Sequence, residues 1–130
     1  MSLYTPTILE HAKHPRKLGR IVSPDVSFED VNPLCGDRIR IELCFDENGI
    51  VKEVGFSGEM CAIARASASL LLMSIEGMTT AAVAAIQDTQ VLQNLDGPIR
   101  SNRIQCALLP ASALRRAIRS LTNSRHDSYI

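Results

Sequence analysis

The stretch RIRIELCFDENGIVKEVGFS, residues 38–57, decides the fold of this chain. In its first half the apolar residues Ile39, Ile41 and Leu43 alternate with polar ones, which is the pattern of a strand with one buried face. DENG at residues 46–49 predicts a tight turn, with Asn-Gly supplying positive φ. Residues 50–57 then predict a returning strand, so the stretch as a whole predicts an antiparallel hairpin.

The segments on either side extend this hairpin into a small sheet and a set of helices. Residues 26–31 predict a further strand, which makes three strands with short connections. After residue 57 the apolar period changes from two to that of a helix, which we expect to end at Gly77. Thr79 or Thr80 is expected to cap a short Ala-rich helix ending near Gln87.

Two more helices flank this central part. Thr5 as N-cap and Pro6 at the first helical position predict an N-terminal helix that ends before Pro15. An apolar stripe over residues 107–121 predicts a long amphipathic helix, in which Pro110 is tolerated only near the start. The predicted fold is α+β: one domain over residues 1–130, with a three-stranded antiparallel sheet packed against helices. We expect residues 1–3 and 122–130 to be flexible.

Composition limits the classes of function. The chain has 130 residues, 45% of them hydrophobic, and a formal net charge of zero. That is enough for a core, and it implies no general electrostatic attraction to nucleic acid. No apolar run approaches the roughly 20 residues of a membrane span, and the N-terminus lacks a signal pattern. We expect a soluble cytoplasmic protein, a monomer or weak dimer, with neither nucleic acid nor membrane as partner.

Three of the four cysteines fall at the ends of predicted elements. Cys35 precedes the first strand of the hairpin, and Asp37 follows it across the flexible Gly36. Cys61 lies between a strand and a helix, and Cys106 lies just before the long helix. In a reducing compartment such cysteines favour metal binding or thiol chemistry over disulfides. Three thiolates and one carboxylate suit zinc or an iron–sulfur cluster.

Other interpretations of these residues stay open at this point. The separations between residues 35, 61 and 106 are far wider than in a zinc knuckle. Spacing alone therefore favours neither metal binding nor ordinary core packing of the cysteines. Cys44 lies in the middle of a strand, where packing is the better interpretation. His11, His14 and His126 are predicted to lie on the solvated surface.

Four stretches of the chain resemble motifs of the IscU/SufU/NifU N-terminal-domain family, in the same order. The resemblance spans about residues 4–120. The stretches are HAKHPRKLG at 11–19, NPLCGD at 32–37, FSGEMCAIARASAS at 56–69 and RIQCALLP at 103–110.

The resemblance implies a scaffold or carrier rather than an enzyme. Members of the family accept sulfur from a cysteine desulfurase, build a [2Fe–2S] cluster and pass it to apo iron–sulfur proteins. The cofactor and metal ligands carry over to Cys35, Asp37, Cys61 and Cys106, and the three cysteines are the candidate persulfide acceptors. Isolated members often hold Zn²⁺ at the same site.

The chain departs from both of the better-defined branches of that family. Gln105 stands where IscU members usually have His, and PIRSNR at 98–103 replaces the LPPVK stretch that an Hsp70 chaperone binds. The interval between Cys61 and Cys106 leaves no room for the insertion usual in SufU members. The alternatives are a SufU-type zinc-dependent sulfurtransferase that partners a cysteine desulfurase, and an interaction domain without cofactor.

Overall fold

The structure is a computed structural model that describes residues 4–33 and 36–127, with side chains as far as Leu121. One helix, three strands and then a series of helices follow one another in the predicted order, with Asp88–Gln93 as an additional helix. They are α1 (Pro6–Lys13), β1 (Val26–Asn32), β2 (Asp37–Phe45), β3 (Val51–Glu59), α2 (Ala62–Ile75), α3 (Thr80–Ala84), α4 (Asp88–Gln93) and α5 (Ile104–Asp127), with a 3₁₀ turn at Ser101–Arg103 before α5.

The three strands form an antiparallel meander in the order β1-β2-β3, which confirms the predicted sheet. Phe28 lies opposite Ile41, and Ile41 lies opposite Phe56. In the hairpin turn, Gly49 has a φ of 78°, whereas Asn48 does not take the positive φ that the Asn-Gly pair suggested. The turn is instead held by the Asp46 carboxylate, which accepts hydrogen bonds from the N–H groups of Asn48 and Ile50.

Helices α2 and α5 cover one face of the sheet, and the main core lies between them and the strands. The predicted inward residues Ile39, Ile41 and Leu43 are fully buried there. Helix α1 packs on α2 rather than on the sheet. A second, smaller apolar cluster, which includes Ile8 and Ile63, joins it to α2. The predicted α+β architecture is therefore confirmed.

Several helix boundaries differ from those expected. Helix α3 ends at Ala84, short of Gln87, and Gln87 instead precedes α4, which the sequence did not predict. Helix α5 begins at Ile104, so Pro110 lies in its second turn, and its backbone continues to Asp127, beyond the expected start of a tail at residue 122. The flexibility expected for residues 1–3 and 128–130 concerns residues that lie outside the described ones.

On the second face of the sheet, one expectation from the alternating pattern is wrong. Glu42 was expected to face water, yet its side chain is 1% exposed. The segment between α1 and β1 crosses this face, with Leu18 bridged to Phe56. Arg20 Nε donates to the Glu42 carboxylate over 2.9 Å, and the N–H of Ile21 donates to the same oxygen over 3.2 Å. The crossing segment therefore buries and neutralises a carboxylate that the strand pattern places in solvent.

Within the described part of the chain, no helix combines the length and the apolar character that crossing a membrane requires.

Candidate metal centre

Asp37 opens strand β2, and its side chain is 6% exposed. It lies opposite Asn32 of β1, so the two residues flank the turn between β1 and β2. Gly36 in this turn has a φ of 74°, as the predicted bend requires, and its N–H donates to the carbonyl oxygen of Asn32 over 2.8 Å. Cys35 itself lies outside the described residues. The turn thus fixes the carboxylate of the predicted ligand set.

Gly58 brings the next predicted ligand to this carboxylate. Its φ is 133°, and a Cβ built on it would lie 2.2 Å from the carbonyl oxygen of Arg38. Only glycine therefore allows β3 to approach the start of β2 this closely. Cys61 follows as the N-cap of α2, and its backbone N–H donates to Asp37 Oδ1 over 3.1 Å. The carboxylate thus satisfies a backbone donor at the start of the helix.

Cys106 lies in the first turn of α5 and is 2% exposed. The next residue, Ala107, accepts a buried hydrogen bond of 2.6 Å from the hydroxyl of Ser67 on α2. A buried polar contact therefore joins α2, which follows Cys61, to α5 at the residue next to Cys106. This contact adds to the apolar packing that holds α5 against α2.

The ligand atoms of Asp37, Cys61 and Cys106 come together, all within 4.8 Å of one another. Two sulfur ligands of a tetrahedral zinc ion lie about 3.8 Å apart, since each Zn–S bond is about 2.3 Å. An approach of at most about 1 Å between the sulfurs, and slightly more between oxygen and sulfur, would thus let the three atoms share one ion. Asp37 Oδ2 is buried, and no hydrogen-bond partner for it is found among the described residues. Buried polar atoms ordinarily have a partner, and a bound cation would supply one here. The donor set therefore fits zinc or iron.

The charges around the site favour a cation. Burial raises the pKa of the Cys61 thiol, and the neighbouring Asp37 carboxylate raises it further, against the lowering effect of the N–H groups of Ala64 and Ile63. A bound cation removes this cost, because it stabilises thiolate and carboxylate together. On the other side of the site, a hydrogen bond to Cys106 and the charges of the two cysteines raise the pKa of Arg103.

The remaining candidates of the sequence lie elsewhere. Cys44 is half-buried near the end of β2 rather than in the middle of the strand, with its sulfur 3.6 Å from the carbonyl oxygen of Ser23, and it does not join the group. His14 is exposed as expected, but His11 is half-buried, and its Nδ1 lies 2.7 Å from the hydroxyl of Ser69. The side chain of His126 lies outside the described residues.

Arg103 is the residue of the site that sequence reasoning missed. It precedes Cys106 by three positions, and it belongs to the 3₁₀ turn that leads into α5. Residues three apart on a helix share a face, so this spacing was the available signal. Gln105, which replaces the usual His, is exposed and lines a groove with Asn32 and Pro33.

Comparison with known proteins gives a consistent result. The family model described as the NifU-like N terminal domain matches residues 3–127. The iron-sulfur cluster assembly scaffold protein IscU of Azotobacter vinelandii is 30% identical over 125 residues, which cover 94% of this chain and 96% of that protein. The zinc-dependent sulfurtransferase SufU of Bacillus subtilis is 40% identical over 76 residues, covering 58% of this chain and 50% of that protein.

A solved structure supports the fold independently. The crystal structure of the N-terminal part of a nitrogen-fixing NifU-like protein from Brucella abortus superposes with a TM-score of 0.77, covers 93% of this chain and 95% of that one, and is 22% identical. The site geometry, the family model and the relative aligned over nearly its whole length agree with the motifs, and we conclude that this chain belongs to the family of NifU-like N-terminal domains.

Proposed function

We propose that this protein is a scaffold for the assembly of iron–sulfur clusters. The observation that carries the proposal is the convergence of Asp37, Cys61 and Cys106, whose ligand atoms lie within 4.8 Å of one another in a chain that belongs to this family. The relative from Azotobacter vinelandii, aligned over nearly its whole length, is named as such a scaffold.

In this proposal the cluster is cargo. Cys35, Cys61 and Cys106 supply thiolates, the usual ligands of iron–sulfur clusters, and Asp37 supplies a carboxylate. A cysteine desulfurase provides the sulfur, any of the three thiols is a candidate acceptor, and apo iron–sulfur proteins take the finished [2Fe–2S] cluster. When no cluster is being built, the same donors would hold Zn²⁺.

The surroundings of Asp37 support transfer rather than permanent storage. A carboxylate is a harder and weaker ligand for iron than a thiolate, so it is the donor that leaves most readily. Oδ1 already accepts the N–H of Cys61, and Oδ2 is the oxygen without a partner among the described residues. One carboxylate oxygen would thus remain anchored at α2 while the other binds or releases the metal. A ligand of this kind opens a coordination position without local unfolding.

One observation favours a second candidate function. The higher identity to the zinc-dependent sulfurtransferase SufU, 40%, is confined to 76 residues of the chain. In that case zinc would be resident, and one thiolate would accept sulfur from the desulfurase after the partner displaces it from the metal.

A desulfurase-fed assay separates the two functions. The purified protein is incubated anaerobically with ferrous iron, cysteine, a cysteine desulfurase and an electron donor that reduces the delivered sulfur to sulfide, and then with an apo-ferredoxin. A scaffold gains [2Fe–2S] absorption and transfers it to the ferredoxin. A zinc-dependent sulfur acceptor raises desulfurase turnover when zinc-loaded but gains no such spectrum. Cys44→Ser is the matched control, since Cys44 is a described free thiol outside the group.

A further inference from the structure

A small cavity of about 100 Å³ lies beside the candidate metal centre. Ile63, two positions after Cys61, contributes an apolar wall, and Arg103, three positions before Cys106, contributes a charged one. The other walls come from the N-terminal segment and from the loop before α5. The lining residues are Tyr4, Ile63, Ile99, Arg100, Asn102 and Arg103.

The lining is positively charged. It contains two guanidinium groups and no carboxylate. In the part of the chain that the structure describes, neither Arg100 nor Arg103 forms an ion pair with a carboxylate, whereas Arg115 and Arg116 on α5 pair with Asp88 and Asp30. Arg103 lies in the 3₁₀ turn that leads into α5, three positions before Cys106, and interaction with the Cys106 sulfur raises the pKa of its guanidinium. Its charge therefore lies at the edge of the metal centre. An arginine keeps that charge at every physiological pH.

This positive charge would offset the repulsion between the ionised ligands of the centre and an incoming sulfur anion. The ligands of the centre are thiols and a carboxylate, so a site with ionised ligands repels an incoming anion. Sulfur is nevertheless delivered in forms that are readily ionised, either as hydrosulfide or as the terminal sulfur of a persulfide. A cavity that holds a water molecule needs only about 15 Å³, so this one has room for a sulfur anion. It is too small for a folded segment of a partner.

Resting on the function proposed above, we propose that this cavity is an anion subsite that receives the incoming sulfur as hydrosulfide or terminal persulfide sulfur, with Arg103 as its recognition group. Arg103 would hold the anion next to Cys106 and Cys61, where sulfur is needed. Arg100 adds positive charge at the cavity wall. The inference concerns binding and positioning, and it adds no covalent step.

The first test uses the metal-free protein and a readout independent of the cluster. The thiols are modified with an anionic and with a cationic methanethiosulfonate reagent of similar size, and peptide mass spectrometry gives the rate at each cysteine. Arg103→Gln should lower the ratio of anionic to cationic rates at Cys106 by roughly three- to tenfold at low ionic strength, and added salt should shrink the effect. Arg103→Lys should keep most of the ratio.

Arg119→Gln is the matched control, since Arg119 is an exposed arginine of α5, several turns from the site. Because both reagents report on one thiol, a change in its accessibility cancels in the ratio. An unchanged ratio in Arg103→Gln overturns the subsite. An equal fall in Arg119→Gln also overturns it, because the effect would then come from net charge alone.

The second test identifies the source of the anion. Cluster assembly is followed with ferrous iron and free sulfide in one arm, and with ferrous iron, desulfurase, cysteine and an electron donor that reduces the delivered sulfur in the other. Arg103→Gln should raise the half-saturating sulfide concentration if hydrosulfide enters the cavity, and should slow the desulfurase arm if a persulfide does. Unaltered assembly in both arms overturns the proposal. A wild-type protein that assembles no cluster, but keeps the charge-dependent ratio, would refute the scaffold function and support the anion subsite.

Discussion

The hydroxyl of Ser67 on α2 donates a 2.6 Å hydrogen bond to the carbonyl oxygen of Ala107, the residue that follows Cys106 on α5. Both groups are buried, and the contact joins two helices that each carry a candidate ligand at or near the N-terminus. Ser67, in the motif AIARASAS, thus helps to hold the helix that carries the third cysteine against the helix that follows the second.

Replacing Ser67 should therefore affect both stability and metal binding. Ser67→Ala removes a buried donor and leaves the Ala107 carbonyl without it, and we expect a loss of about 1–2 kcal/mol in the free energy of unfolding. Zinc affinity should fall as well, since the two thiols are no longer held together. Urea unfolding and a competitive zinc titration measure the two effects.

Ser74→Ala is the matched control for this variant. Ser74 also donates to a carbonyl oxygen over 2.6 Å, but the acceptor is Leu71 of the same helix and the residue is exposed. We expect that variant to unfold within about 0.5 kcal/mol of wild type, with unchanged zinc affinity. Equal effects of the two replacements would show that Ser67 contributes only local helix stability.

Gly58 should tolerate no side chain. In Gly58→Ala the new Cβ would meet the Arg38 carbonyl at 2.2 Å, and the φ of 133° is itself strained for alanine. We expect a loss of about 2–4 kcal/mol and a weaker zinc site, since the start of β2 must move away from Cys61. Gly77→Ala has a similar φ problem at 90° but meets no atom within 4 Å. A loss no greater than that of Gly77→Ala would mean that close strand approach does not position the site.

Buried Glu42 should make the fold sensitive to acid. Burial raises its pKa, but the hydrogen bonds from Arg20 and Ile21 and the charges of Arg20 and Arg40 outweigh burial and hold the pKa below its ordinary value of 4.5. The unfolded state therefore binds the proton more readily. The stabilisation is fully present above about pH 4.5 and is lost as the pH falls through the folded-state pKa.

Unfolding curves at a series of pH values check this expectation. Glu42→Gln should lower stability by about 2 kcal/mol at pH 7 and flatten the dependence on pH below 4.5. Glu53→Gln, on the exposed side of β3, should leave both unchanged. If the wild type and Glu42→Gln lose stability over the same acidic pH range and by the same amount, carboxylates other than Glu42 cause the loss.

The same residues show which features of the fold could be predicted from the sequence alone. The alternation of Ile39, Ile41 and Leu43 is a local signal, and it predicted strand β2 and its buried face correctly. The burial of Glu42 depends on a segment twenty residues earlier that crosses the sheet, so no local pattern contains it. Helix α4 is only six residues long, too short for a clear apolar period.

For the site, the sequence placed its candidates at element ends but could not bring them together. The meeting of Asp37 with Cys61 depends on the register of β2 against β3 and on the close approach at Gly58. The meeting with Cys106 depends on how α5 packs against α2. The resemblance to the family motifs, and not the spacing, indicated that these residues form one ligand set. Arg103 escaped notice because a lone arginine near a helix start is ordinarily solvated.

Asp37 is predicted to control release of the cluster. Asp37→Ala should still assemble [2Fe–2S] but transfer it to an apo-ferredoxin more slowly, since the weakest ligand and its route for exchange are gone. Asp37→Cys should hold the cluster longer still, because a fourth thiolate binds iron more strongly. Circular dichroism follows the transfer rate. If Asp37→Ala transfers the cluster at the wild-type rate, Asp37 does not control release, and its role is the structural one of accepting the hydrogen bond from the Cys61 N–H.

The central claim is that the thiols gathered at the ends of β3, α2 and α5 hold the cluster, together with Cys35. The most direct measurement is the [2Fe–2S] absorption spectrum after anaerobic reconstitution of four variants, each with one cysteine changed to serine. We predict that the changes at Cys35, Cys61 and Cys106 abolish the spectrum, and that Cys44→Ser keeps it at the wild-type intensity. Loss of the spectrum in Cys44→Ser, or its full retention in Cys61→Ser or Cys106→Ser, would contradict the account.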